Sequence, residues 1–408
     1  MSDPKDPFIP LARPTFGPQE ERAVAEALRS GWVSQGPRVL EFEKALAEFL
    51  GCQHVRAVNS GSSAILLALK ALGVGPGDSV AVPAFTCAAT ALPVLALGAE
   101  VAFADVGLAT FNLAWAEAER ALRPDTKAIV LVHLFGRMAD AAGFASRCRE
   151  RGIGLVEDAC LALGAKQRGR AAGRLGAAGC FSFHPRKVIT TGEGGAVATD
   201  DPAIAQCVES DRNYGAAASA WQRFQSGVGS LAGFSRVAYN FKLTDLQAAV
   251  GLCQMARLPA FLAERRRIAA AYAEALADVS GLRLPSVPAD EAETAHQAVV
   301  CLWAPDEPER LLADAAALAR AVASREVLRG ELASRGIAFS DAAQFMPGLP
   351  VFGGSAGEEG ALARRFPASF LAAKLSFALP IFPGMTAGEI ARVCEAVRAG
   401  ARKARGAR

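Results

Sequence analysis

At 408 residues the chain exceeds the roughly 250–300 at which a single core stops growing, so two domains are expected. Hydrophobic residues make up 51% of it, enough for a large buried core, and a net charge of only +3 with dispersed lysine and arginine implies neither a nucleic-acid nor a membrane partner. Nine cysteines without a CxxC pair or a regular spacing argue against a disulfide framework or a zinc site and for reduced thiols in a cytoplasm.

The start, Met1 to Pro10, carries no apolar core of signal-peptide length. Residues 1–50 read as an arm and two helices. Pro18 suits the first position of one helix. A second, Val39 to Leu50, places Leu40, Phe42, Leu46, Phe49 and Leu50 near one face. Between them lies Ser30-Gly31-Trp32-Val33-Ser34-Gln35-Gly36-Pro37, in which Trp32 either packs or faces a ligand.

From His54 onward short apolar strands alternate with helices. Val55 to Val58, Val80 to Pro83, Val101 to Phe103, Ala128 to His133 and Leu155 to Glu157 are the strands, and Ala64 to Ala71 is the first helix between them. Such alternation predicts an α/β domain with a mostly parallel sheet, whose ligands bind beyond the carboxyl ends of the strands. Asn59-Ser60-Gly61-Ser62-Ser63 joins a strand to a helix. Glycine permits close approach there and the helix start favours an anion, so the turn suits a phosphate; a plain serine cap is the simpler alternative. Glu157-Asp158 is an acid pair at the end of an apolar strand, where buried carboxylates need partners. Cys87 could be read as a nucleophile, but no histidine lies near it in sequence.

The stretch Phe181 to Gly195, FSFHPRKVITTGEGG, begins as a strand and ends in a turn with Gly192, Gly194 and Gly195. Lys187 sits between, with no carboxylate nearer in sequence than Glu193. An amine held in such a loop is badly placed for a surface ion pair and well placed to attack a carbonyl once desolvated. The aldehyde of pyridoxal phosphate (PLP) is the natural partner. A carboxylate from a pair such as Glu157-Asp158 would then serve the cofactor's pyridine nitrogen, because the ring withdraws electrons best when that nitrogen is protonated.

Further along, a helix precedes a Gly/Ser-rich segment, Gln225 to Ser235, which reads as a mobile loop near the site. An amphipathic stretch from Leu258 to about Ala277 links to a second domain. That domain holds a strand near Ala298 to Trp303, a helix near Ala319 to Arg335, an exposed loop from Gly353 to Arg365, and the segment Ser376 to Thr386. His296, just before the strand, is expected to pack.

Ser182-Phe183-His184-Pro185-Arg186-Lys187 with Thr190-Thr191-Gly192-Glu193-Gly194-Gly195 resembles the Schiff-base segment of the DegT/DnrJ/EryC1/StrS family, PLP-dependent aminotransferases acting mainly on nucleotide-linked keto sugars. The resemblance extends from about Phe8 to Val397. Glu157-Asp158-Ala159-Cys160-Leu161-Ala162-Leu163-Gly164 is similar to the family's E-D-A-x-x-A-x-G, which implies that Asp158 faces the ring nitrogen and Glu157 alternates away. The resemblance puts Ser62, Ser63 and Ser182 on the cofactor phosphate and Lys187 on its aldehyde. Tyr239-Asn240-Phe241-Lys242 is similar to a segment whose asparagine reaches the neighbouring subunit's phosphate, which implies that Asn240 does so here. The SGW…GP loop is similar to one that lines the family's active site, which makes Trp32 a candidate substrate contact; His184, one of four histidines, either contacts substrate or packs in its loop. Two positions depart from the pattern. Leu161 stands where many relatives carry glutamine or histidine near the ring oxygen, and Cys87 stands where many carry an aromatic residue stacked on the ring, so that either the stack is thinner or Phe85 reaches in.

The implied fold is α/β, of the aspartate-aminotransferase type (fold type I). It comprises an N-terminal arm and helices over residues 1–50, a large PLP-binding domain over 51–257, and a smaller C-terminal α+β domain over 258–408. The implied protein is a homodimer with shared active sites that holds PLP and no metal. It moves an amino group, with glutamate the expected donor, to a keto group on a nucleotide-linked sugar. A keto-cyclitol acceptor, or a PLP-binding regulator without turnover, are the alternatives.

Overall fold

The computed structural model describes residues 7–216, 220–226, 233–234, 236–284 and 293–406. Two helices come first, α1 (Pro18–Arg29) and α2 (Pro37–Leu50). The alternating part runs through β1 (His54–Val58), α3 (Gly61–Ala71), β2 (Ser79–Pro83), β3 (Phe85–Thr86), α4 (Ala88–Ala96) and β4 (Glu100–Ala104). It continues with α5 (Trp115–Ala121), β5 (Thr126–Val132), α6 (Ala141–Glu150) and β6 (Gly154–Asp158). A small hairpin, β7 (Lys166–Gln167) and β8 (Arg170–Ala171), leads to β9 (Ala178–Ser182), β10 (Gly195–Thr199), α7 (Pro202–Asp211) and α8 (Ala220–Ser226). After α9 (Asp245–Leu276) come β11 (Leu282–Arg283), β12 (Val299–Trp303), α10 (Pro308–Ala313) and α11 (Ala315–Ser334). The chain closes with β13 (Gln344–Phe345), α12 (Glu359–Arg365), α13 (Pro367–Leu375), β14 (Ser376–Leu379) and α14 (Ala387–Gly406).

Seven strands form one sheet in the order β1-β10-β9-β6-β5-β2-β4. The pairs from β9 across to β4 are parallel, and β10 alone runs against its neighbours. Alternation along β5 explains why this sheet reads as continuous apolar runs. Ile129 and Leu131 meet Phe42, Phe144 and Leu258 on one face, while Ala128 and Val130 meet Ile65, Val94 and Val208 on the other. A three-stranded antiparallel sheet, β11-β12-β14, packs with α11, α14 and the end of α9 around Tyr272, Trp303, Leu328, Phe377 and Val393. The expected large α/β part and smaller α+β part are both present.

α9 serves both cores. Its Leu258, Phe261 and Leu262 lie in the core of the large sheet, and its Ile268, Tyr272 and Leu276 in that of the small one. The boundary expected at 257/258 thus falls inside one continuous helix. By length and composition α9 is apolar enough to cross a membrane, but here its apolar positions are taken by the two cores. Arg265 pins the change of core. Its buried guanidinium donates to the carbonyls of His296, Gln297 and Ile381, and burial lowers its pKa to about 10.

Two further elements differ from the sequence reading. α3 starts at Gly61 rather than at Ala64, because the Ser60 hydroxyl caps Ser63 N and so draws the serine turn into the helix. The stretch from Gly353 is not loop throughout, since Glu359–Arg365 is helical. Of the segment from Gln225 to Ser235, residues 227–232 and 235 lie outside the described residues.

Glu157, fully buried near the end of β6, is the polar pin of this architecture. It accepts from His133 Nε2 at 2.8 Å and from the backbone N–H groups of Gly173, Leu175 and Gly176 at 3.0, 2.5 and 2.7 Å. His133 Nδ1 accepts from Ala139 N, which fixes the proton on Nε2. Burial alone raises the pKa of Glu157, but these donors outweigh it and the net direction is downward. A lowered carboxylate contributes stability that is complete above its unfolded pKa and is lost as pH falls through the folded one. Glu157→Gln is therefore expected to cost about 3–5 kcal/mol at neutral pH. In urea denaturation the variant should also lose less stability than the parent between about pH 5 and pH 3, through and below the ordinary carboxylate range, and an equal acid loss in both proteins would contradict this account.

Candidate active site

The carboxyl ends of β1, β2, β5, β6 and β9 lie along one edge of the large sheet, and the candidate residues gather there. α3 presents its N-terminus at this edge. Gly61 sits so close to its neighbours that an added Cβ would lie 2.8 Å from Cys160 Sγ and 2.8 Å from Ser182 Cβ. Gly195 likewise leaves no room for a side chain against Ser60 O. The start of α3, the end of β9 and the turn after β6 therefore meet in one cradle.

Within it, Ser62 is exposed, and neither its hydroxyl nor that of half-buried Ser182 has a partner among the described residues. The first N–H groups of α3 have no acceptor within the helix. These open donors suit a phosphate. Ser63 differs: its hydroxyl donates to Asn59 Oδ1 at 2.7 Å and lies 2.8 Å from Ser60 Oγ. It shapes the turn, and its side-chain donor is already used.

Asp158 ends β6 and is 5% exposed. Its Oδ2 accepts from Thr90 Oγ1 at 2.7 Å and its Oδ1 from Cys160 N at 3.1 Å. Among the described residues it has no ion-pair partner. A buried carboxylate without a cation is costly, so this site calls for a positively charged group, as a protonated pyridine nitrogen would be. Lys187, half-buried in the turn between β9 and β10, is the reciprocal case, an ammonium with no carboxylate or hydrogen-bond partner among the described residues. Cys160 lies within reach of both charges. Burial and then Asp158 push its thiol well above the usual range, while Lys187 opposes them, so it does not act as a thiolate. The residues present thus fit PLP at three points: phosphate, ring nitrogen and aldehyde.

His184 stands beside the lysine turn. Its Nδ1 accepts from Arg186 N at 3.2 Å, and its Nε2 lies 4.0 Å from Glu193 Oε1. Burial lowers its pKa, Glu193 opposes this, and Lys187 and Arg186 lower it further, which favours the neutral ring. Gln297 Nε2 donates to Arg186 O at 2.8 Å and so ties this turn to the segment held by Arg265. Trp32 packs: its Nε1 donates to Gln35 O at 2.9 Å, and its ring meets Trp221 and Phe224 at 4.8 and 5.3 Å. Asp245 fixes that loop by accepting from the N–H groups of Gly36, Arg38 and Val39. Asn240 is exposed, with Oδ1 3.3 Å from Lys242 N.

Phe85 is not available as a ring-stacking residue. Its side chain is fully buried and faces Phe111 and Phe135 at 5.8 and 6.4 Å, because the β3 pleat turns it into the core below. Leu161 packs at the edge of that same cluster. Cys87 is exposed at the N-cap of α4, and no ring stands in its place. Thr90, the hydroxyl on Asp158, was not read from the sequence. It is one polar residue in the apolar run of α4, and its partner lies 68 residues away.

Comparison with known proteins bears on this geometry. Residues 14–398 match the model of the DegT/DnrJ/EryC1/StrS aminotransferase family. The spore coat polysaccharide biosynthesis protein SpsC of Bacillus subtilis is 37% identical over 296 residues, 72% of this chain and 76% of that protein. Among solved structures, the aminotransferase TlmJ of Streptoalloteichus hindustanus is 30% identical with a TM-score of 0.85, covering 97% of this chain and 100% of that one. Spr1654 of Streptococcus pneumoniae in its PMP form is 25% identical with a TM-score of 0.85, covering 98% and 100%.

Borohydride reduction of the protein with PLP should leave the cofactor's mass on the peptide containing Lys187. Label recovered on any other lysine would remove Lys187 from the site.

Proposed function

The chain belongs to the DegT/DnrJ/EryC1/StrS aminotransferase family and is a PLP-dependent aminotransferase, and from that membership we propose that it moves an amino group from an amino acid, glutamate first, to a keto group on a nucleotide-linked sugar. The observation that carries this reading is the pair of charges unmatched among the described residues at the sheet edge, Lys187 without an acid and buried Asp158 without a cation. The likeness to SpsC, a polysaccharide biosynthesis protein, supports a sugar acceptor.

PLP, when bound, supplies an electron sink for the bond broken at the donor's α-carbon. The chain's own residues do the rest. Ser62, Ser182 and the first turn of α3 bind the phosphate and set the depth of the ring. Asp158 holds a proton at the ring nitrogen. Lys187 Nζ would bind the aldehyde and, as a free amine, would take the proton from the donor's α-carbon and return it to the carbon that had carried the aldehyde. Retention of lysine at position 187 suits transfer, since a residue unable to bind the aldehyde could not restore the resting site. In this reading His184, beside the lysine turn, meets the acceptor. Asn240 serves the phosphate of a second copy, and the working form is a homodimer in the cytoplasm.

Glutamate alone is expected to bleach the visible band of the yellow holoenzyme and release 2-oxoglutarate in a 1:1 ratio to active sites. A nucleotide-linked keto sugar should then restore the band and gain nitrogen. A sugar product that has lost a hydroxyl and gained no nitrogen would sink the transfer reading.

The shared site makes a separate prediction. An Asn240→Ala protein and a Lys187→Ala protein, each inactive, should regain about a quarter of parental activity when mixed and allowed to exchange subunits, since half the dimers are mixed and each of these holds one intact site. Demonstrated exchange without recovery would count against Asn240.

A further inference from the structure

The carboxylate of Asp158 is held by a hydroxyl that is itself held. Thr90 Oγ1 lies 2.7 Å from Asp158 Oδ2, and Thr86 Oγ1 lies 3.2 Å from Thr90 Oγ1. Both threonines are 1% exposed, so water does not substitute for either contact. A hydroxyl carries one proton. Thr90 gives its proton to the carboxylate and can therefore only accept from Thr86, which donates. The three side chains form a chain with one direction, Thr86 to Thr90 to Asp158.

The far end of that chain is anchored from the second half of the sequence. Thr86 in β3 pairs with Gln344 in β13, and Gln344 Oε1 accepts from Ala88 N at the start of α4 at 2.9 Å. α4 is thus fixed at its first turn, and Thr90 is on that turn. With Cys160 N on Oδ1 and Thr90 on Oδ2, rotation of the Asp158 carboxylate is stopped from both sides, and each oxygen keeps a further lone pair free.

We propose that Thr90, backed by Thr86, is a positioning residue that sets the rotation of the Asp158 carboxylate toward the cofactor's ring nitrogen. This rests on the reading that Asp158 faces that nitrogen. Among the described residues the Thr90 hydroxyl meets only Thr86 and Asp158, so its effect passes through Asp158. A hydroxyl that merely filled space would support every ligand of the site alike. A positioning hydroxyl matters only to a ligand with a nitrogen for Asp158 to meet.

The test compares binding of PLP with binding of its 1-deaza analogue, in which the ring nitrogen is a C–H, to the full-length enzyme stripped of cofactor. Thr90→Val is expected to weaken PLP binding about tenfold and to change analogue binding less than about twofold. Thr90→Ser should bring PLP binding back to within about threefold of the parent. Thr86→Val should weaken PLP binding in the same direction by a smaller factor, again sparing the analogue, and this comparison stands even if Thr90→Val does not fold. Equal weakening of both ligands overturns the proposal, as does unchanged PLP binding in the Thr90 and Thr86 variants. A parent enzyme that binds both ligands equally would overturn it together with the assignment of Asp158 beneath it.

Discussion

Two acids stand side by side at the end of β6, and strand geometry sends them to opposite sides. Glu157 turns into the protein and meets four donors, a closed account of hydrogen bonds around a buried charge. Asp158 turns to the site edge and, among the described residues, meets two donors and no cation. The first arrangement is structural because nothing is left over. The second is incomplete by one positive charge. The cofactor cradle, the unpaired Lys187 and the hydroxyl chain behind Asp158 all follow from that asymmetry, and what the site binds is what completes it.

The rest of the molecule keeps these parts in register through a few buried polar anchors. Asp245 opens α9 and at the same time caps α2 through three N–H groups, so the loop holding Trp32 is fixed by the helix that spans both cores. Twenty residues along the same helix, Arg265 holds the carbonyls of His296 and Gln297, and Gln297 reaches on to Arg186 beside Lys187. Phe135 and His296, both with positive φ, lie where these segments cross, and Gly136 between them would meet the backbone of His296 and Gln297 if it bore a Cβ. Non-glycine residues adopt such φ values only when the surroundings dictate it.

Much of this was legible in the sequence, and the exceptions have a common cause. Strand alternation announces the parallel sheet, and Lys187, Asp158, Ser62 and Ser182 stand out because each sits in a short local pattern with its own chemistry. Ser63 was placed on the phosphate because pattern matching sees the residue and not its hydrogen bond to Asn59, four residues back. Phe85 was offered to the ring because sequence does not say which face of a two-residue strand points outward. Thr90 carries no local signal because it lies on a helix and its partner ends a strand 68 residues away. The misses are side-chain directions and distant pairings, which the fold decides and local pattern does not.

The pairing of β13 with β3 has a consequence for how the chain reaches this state. Gln344 and Ala88 are 256 positions apart, so the first turn of α4 gains its support only after most of the chain exists. On a ribosome the strands of the large sheet emerge first and their apolar faces can begin to close, but the rear of the Asp158 pocket stays unsupported until the last quarter of the chain arrives. The same late arrival brings β14, which completes the second core through Phe377 and Leu379. Competence to hold the cofactor is thus coupled to completion of the chain, and a prematurely ended product would lack the support behind Asp158.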